Sequence, residues 1–251
     1  MLKEIIIAIQ SYFKAHQFIR ENKLWKWILI PGFIYAILFI VSMYFFGKSA
    51  NNAIEWIKNV THLTVWLEKM QSSFLSFLFA ISGLILWLVL MLFYFSLFKY
   101  LWLIVGSPVF AYLSEKTTSI LEGRDFPFSF RQLAHDIVRG IKIALRNTLW
   151  QTIYTISIVF LSFIPLVGWA MPMVAMFLEC YYYGFSMLDY TCERQKMSAS
   201  ESIYFINNHR GLAIGNGLIF YLMHLVPVIG WVFAPAYAVI AATLSLREEK
   251  A

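Results

Sequence analysis

The chain has 251 residues, of which 60% are hydrophobic and only 14% charged, with a formal net charge of +6 and a mean hydropathy of +0.67. A soluble domain carries about a quarter charged residues, so this composition specifies an integral membrane protein read as one membrane domain over residues 1–251. The modest positive charge lies beside apolar segments. That suits anionic headgroups or a small anion and excludes nucleic acid as an expected partner, since nucleic acid would require a basic face on a soluble module.

In chain order, Ile6, Ile9, Phe13 and Ile19 recur along one side of residues 3 to 19, with Lys3, Gln10 and Lys14 between them. This spacing predicts an amphipathic helix at the membrane surface, and the segment shows no cleavage site of a secretory signal. A first crossing follows at about 24–46, with a kink expected at Pro31. Residues 48 to 70 are polar but keep Ile54, Ile57, Trp66 and Leu67, which predicts an interfacial helix. A second crossing is expected at about 71–98. Ser107-Pro108 reads as a helix restart, with Ser107 as N-cap and Pro108 at the first helical position, ending at Gly123. A further amphipathic helix is expected over about 130–146. Lys and Arg number five before the first crossing, three in residues 48–70 and seven in 99–146. This bias places the termini and 99–146 on the cytoplasmic side.

Two uncharged runs complete the chain. Asn147 to Leu178 is 32 residues and Gly211 to Leu246 is 36, both too long for one crossing of roughly 20 residues. Each is broken by the same turn, Pro165-Leu-Val-Gly-Trp169 and Pro227-Val-Ile-Gly-Trp231, followed by Pro172 or Pro235. The runs therefore read as helical hairpins at about 147–189 and 211–246. A turn inside the bilayer would leave backbone groups unpaired unless protein or a water-filled cavity surrounds it. The alternative is a pair of ordinary crossings with the turn at the far surface and Trp169 and Trp231 as interfacial anchors.

These residues resemble the CysZ-type sulfate transporters and the wider etoposide-induced membrane-protein family. The likeness is carried by Phe163-Ile-Pro-Leu-Val-Gly168, Leu188-Asp-Tyr190, the link Arg194-Gln-Lys196 and the second turn at Pro227 to Gly230. Ser107-Pro-Val-Phe110 and Leu113-Ser-Glu115 add to it, as do the basic residues before the Pro31 run. The resemblance implies an all-α membrane fold of two full transmembrane helices, two Pro/Gly-broken hairpins that penetrate part of the bilayer, and amphipathic interfacial helices. It also implies a homo-oligomer in a bacterial inner membrane, carrying sulfate or a related oxyanion for cysteine synthesis. A non-transporting scaffold or lipid-interacting protein of the same fold is the alternative.

The resemblance places anion binding at Lys23, Leu24, Trp25 and Lys26, where the family has a Gly-apolar-Arg-Arg stretch at the start of the first crossing. Unpaired N–H groups and the helix dipole favour an anion there. This chain departs from the pattern, with Lys23 for the Gly and Trp25 for the first Arg, and the same lysines also serve as positive-inside anchors. Asp189 is expected to cap the hairpin's exit or to pair with Arg194 or Arg210. Glu179 is expected either in a polar interior or near water. The five histidines are scattered, and His224 is expected to bond between helices. Cys180 and Cys192 read as reduced thiols. No catalytic, metal or cofactor-binding pattern stands out.

Overall fold

The computed structural model describes residues 1–60, 73–123, 130–164 and 166–250, and all of the regular structure there is helical. The helices are α1 (Leu2–Glu21), α2 (Trp25–Val60), α3 (Ser73–Glu122), α4 (Phe130–Ser162), α5 (Val167–Arg194), α6 (Ala199–Asn208), α7 (Arg210–His224) and α8 (Ile229–Lys250). Among the described residues, three stretches are long and apolar enough to cross a membrane: Trp25–Asn52, Gly83–Glu122 and Ile229–Glu249. The expected interfacial helix at 48–70 falls partly on residues 61–70, outside the described residues. Pro165, Arg124 and the start of the second crossing at Gln71 also lie outside them.

Helix α1 forms as its periodicity predicts but buries more than one edge. Ile7, Ala8, Ser11, Tyr12, Ala15, Phe18 and Ile19 are buried against α7 and α8, while Ile6 and Phe13 remain exposed on the other side. The helix ends where Lys23 turns left-handed, at φ 53. There the Leu24 N–H donates to the Ile19 carbonyl (3.1 Å), the 6→1 bond of a Schellman end.

The expected restart at Ser107-Pro108 is corrected. Helix α3 runs unbroken for 50 residues with Pro108 inside it, and the buried Ser107 hydroxyl has no hydrogen-bond partner among the described residues instead of capping. Proline removes one intrahelical bond, but inside a membrane bundle neighbouring helices can hold such a helix together. Pro31 likewise lies inside α2. Beside it, α2 and α8 approach so closely that a Cβ on Gly32 would sit 2.1 Å from the Val232 carbonyl oxygen.

The two helix pairs expected as broken hairpins are α4–α5 and α7–α8, and their turns share three backbone bonds. Phe163 and Ile164 donate to Phe160 and Leu161, and Gly168 to Ile164; 62 positions on, Leu225, Val226 and Gly230 repeat those three bonds to Leu222, Met223 and Val226. In each turn the residue after the proline is left-handed, Leu166 at φ 70 and Val228 at φ 63. Both tips are apolar and exposed, with Leu166 81% and Leu225 76% accessible.

The hairpins are locked by small residues, as in other membrane bundles where glycine lets backbones approach. A Cβ on Gly217 of α7 would lie 2.0 Å from the Cys180 carbonyl of α5, and one on Gly184 of α5 would lie 1.9 Å from the Ala213 carbonyl of α7. Tyr183 and Phe185, on either side of Gly184 in sequence, are among the largest fully buried side chains. Tyr183 stacks on Phe220 with centroids 3.5 Å apart.

Candidate functional site

The expected anion-binding residues occupy the α1–α2 turn. Lys23 and Lys26 are exposed and Leu24 is buried. Trp25 opens α2 and packs edge-on against Phe233 of α8, with centroids 6.1 Å apart. The backbone N–H groups of Trp25 and Lys26 have no backbone acceptor among the described residues, and the first turn of α2 contains no acid. Two lysines therefore flank the unpaired, positive end of a 36-residue helix. By itself that placement opposes the dipole, and an anion would relieve it.

Deeper in the bundle lies a polar cluster that joins four helices. Lys99 of α3 donates to Glu179 of α5 (2.9 Å) and to the Gln151 side-chain oxygen of α4 (2.8 Å). Tyr100 donates to that same oxygen (2.7 Å), Tyr221 of α7 donates to Glu179 (2.9 Å), and Gln151 donates to the other Glu179 oxygen. The Lys99 and Glu179 side chains are each 3% exposed. The Lys99 ammonium also lies 4.6 Å from the Tyr100 ring centroid. Glu179 thus faces a polar interior, the first of its two expected settings. A buried charge survives when its partner and its remaining bonds are both supplied, and here they are.

A second cluster binds the end of the first hairpin to α6. Asp189 pairs with Arg139 of α4 (2.9 Å) and accepts from Ser202 of α6, while Arg139 also donates to the Met197 carbonyl. This corrects the expected partners of Asp189. Arg194 instead reaches Glu115 of α3 (3.3 Å), and Arg210 donates to the Asn207 carbonyl (3.0 Å). Helix α6, which follows the link Arg194-Gln-Lys196, begins with a reciprocal cap between Ser198 and Glu201. Those bonds to Ser198, first its backbone N–H and then its side chain, hold the Glu201 carboxyl below its ordinary pKa.

His224 bonds between helices as expected. Its Nδ1 lies 3.1 Å from the Phe220 carbonyl and its Nε2 2.8 Å from the Tyr35 hydroxyl of α2. A carbonyl only accepts, so Nδ1 carries the proton and Nε2 accepts from Tyr35. Cys180 and Cys192 are both buried and form no disulfide. Glu4, His209 and Glu249, from three separate parts of the chain, place one ligand-type atom each within 4.8 Å of one another. Glu4 is already occupied by the Gly211 N–H (2.9 Å). Metal–ligand bonds of about 2.0–2.2 Å would also require the three groups to draw closer.

A third feature lies between the two hairpins. A cavity of about 470 Å³ is lined by Arg146, Trp150 and Tyr154 of α4, Leu178, Tyr181 and Tyr182 of α5, Asn207 of α6, and Arg210 and Ile214 of α7. No reading of the sequence singled it out, because its residues are scattered over nearly seventy positions.

The family described as "Sulfate transporter CysZ/Etoposide-induced protein 2.4" matches residues 11–235. The chain belongs to this family. Among curated relatives, the sulfate transporter CysZ of Pseudomonas fluorescens (strain Pf0-1) is 27% identical over 225 residues, covering 89% of this chain and 86% of its own. That of Pseudomonas aeruginosa (strain LESB58) is 29% identical over 191 residues, covering 73% and 77%. That of Pseudomonas syringae pv. tomato (strain ATCC BAA-871 / DC3000) is 27% identical over 243 residues, covering 93% and 92%. Family membership and the three membrane-length helices make the chain an integral membrane protein.

Proposed function

We propose that the protein passes sulfate, or a small oxyanion of the same kind, across a bacterial inner membrane and so supplies sulfur for cysteine synthesis. The observation that carries this reading is the nearly end-to-end similarity to relatives named as sulfate transporters. The α1–α2 turn supports it, with Lys23 and Lys26 beside the unpaired N–H groups of Trp25 and Lys26. The protein acts as a transport protein and not as an enzyme. With no phosphate-binding loop in the sequence, flux runs down a gradient or is coupled to another ion.

In this reading α2 and α3 cross the bilayer fully and the two hairpins enter only part of it. Helix α7 has 15 residues, about 22 Å at 1.5 Å per residue, against a hydrocarbon core of about 30 Å. The repeated turns already bond three of their own N–H groups internally, which reduces the cost of placing them away from water. Their exposed apolar tips suit contact with lipid or with further copies of the chain in a homo-oligomer.

The test is the flux of radiolabelled sulfate into proteoliposomes, with phosphate and chloride as competitors. Flux no greater than in empty liposomes removes the reading. Lys23→Ala combined with Lys26→Ala is expected to weaken sulfate binding by about tenfold, the scale of one charge-assisted bond. Unchanged affinity removes the α1–α2 turn as the binding site.

A further inference from the structure

Arg146 and Arg210 hold equivalent places in the two hairpins. Each is the last charged residue before one of the long uncharged runs, a position expected near the boundary between water and bilayer. The cavity between α4, α5, α6 and α7 brings them together. Neither has a carboxylate within salt-bridge distance among the described residues. Arg146 donates to the neutral side chain of Asn147 (2.9 Å) and Arg210 to a backbone carbonyl. Each guanidinium has five N–H donors, so most of them stay unused.

The remaining lining is of the same character. Tyr182 is 6% exposed, and its hydroxyl has no protein partner among the described residues. Tyr181 donates to the Asn207 side-chain oxygen (2.7 Å), which leaves the Asn207 amide nitrogen free to donate. Two guanidiniums, an amide NH2 and a buried phenol thus line one cavity without a carboxylate. Two other cavities differ in this respect, one including Glu193 and Glu201 and the other Glu122. Planar guanidinium forks match the paired oxygens of a sulfate or phosphate group, and Trp150 and Tyr154 supply an aromatic rim of the kind found at the lipid boundary.

We infer that the Arg146–Arg210 cavity is a binding site for a tetrahedral oxyanion group, separate from the α1–α2 turn. The group is either a free anion such as sulfate or the phosphate of an anionic lipid headgroup. The free-anion source extends the transport reading, whereas the lipid source is independent of it. Gln151 and Glu179 directly follow the lining residues Trp150 and Leu178 in sequence, so the Lys99–Glu179 cluster adjoins this cavity through the backbone of α4 and α5.

The experiment measures equilibrium binding of radiolabelled sulfate to purified, delipidated protein, and in parallel the binding of added phosphatidylglycerol by native mass spectrometry. The proteins compared are wild type, R146Q/R210Q, R210Q alone and K23A/K26A. The double glutamine variant is expected to lose affinity for one of the two probes by about tenfold or more. Loss for sulfate identifies a free-anion site, and loss for phosphatidylglycerol a headgroup site. Wild-type affinity for both, in a variant that elutes and melts as wild type does, overturns the proposal. If the double variant fails to fold, R210Q carries the same expectation, because the Arg210 side chain is exposed. Arginine-dependent binding without flux would remove transport and leave this site standing. Sulfate binding lost only in K23A/K26A, with phosphatidylglycerol binding intact throughout, would do the reverse.

Discussion

Lys99 and Glu179 lie 80 residues apart in the chain and meet at 2.9 Å, each side chain 3% exposed. Removing one member of such a pair leaves the other charge buried and uncompensated, at a cost of about 3–5 kcal/mol. Lys99→Met and Glu179→Leu are each expected to lower the unfolding midpoint sharply in detergent. The double variant K99M/E179L is expected to recover much of the loss, because a well-packed apolar pair can replace a buried ion pair. A thermal-unfolding double-mutant cycle checks this, and additive losses would show that the two charges are not coupled in the folded protein.

The α5–α7 contact gives a second expectation. Gly217→Ala places a methyl carbon 2.0 Å from a backbone oxygen, which no side-chain movement relieves. Overpacking of this kind costs about 1–3 kcal/mol. Gly47 and Gly83 are the controls, since among the described residues an added Cβ meets nothing within 4 Å at either. Alanine there should stabilise by up to about 1 kcal/mol, the ordinary helix preference over glycine. Thermal melts that rank G217A level with G83A would contradict the packing described.

Much of this fold can be read from residue types and spacing, and the gaps have physical reasons. The Pro-x-x-Gly turns are legible because few residue combinations make such a break, and both recur with the same hydrogen bonds. Pro108 misleads, since the same Ser-Pro pair that starts a helix in water can lie inside one when neighbouring helices support it. Glu179 stands out as an isolated charge, and its partner was in principle available. Lys99 is the lone charge between Gln71 and Ser114, and two isolated opposite charges at depth call for each other. Arg139 and Asp189 were not decidable in this way, because several basic residues were equally eligible. The Ser198-x-x-Glu201 capping box was visible in the sequence and would have revealed α6. The Arg146–Arg210 cavity depends on how two hairpins dock, which no local pattern encodes.

The Ser198–Glu201 box has a pH signature. Bonds from Ser198 hold the Glu201 carboxyl below its usual pKa, so ionised Glu201 favours folded α6. That contribution is present above the unfolded carboxyl pKa of about 4.3 and is lost as pH falls through the lower, folded value. Amide exchange in Ala199–Asn208, corrected for intrinsic rates, should therefore lose protection as pH falls below about 4. Glu201→Gln should show a smaller dependence on pH in that range. An identical profile in wild type and E201Q would detach the effect from this carboxyl.

Lys23 separates backbone from charge at the proposed anion-binding turn. Its φ of 53 is a conformation that costs a non-glycine residue about 1–2 kcal/mol. Glycine takes this conformation without that cost. Lys23→Gly should relieve the strain, offset in part by the greater freedom of the unfolded chain, and should raise the unfolding midpoint. Lys23→Ala keeps the strain and should not raise it. Both variants remove the same charge and should weaken sulfate binding alike if the ammonium group contributes. Glycine that binds more weakly than wild type while melting higher would confirm both halves. Glycine that binds sulfate as tightly as lysine would show that the Lys23 charge does not hold the anion.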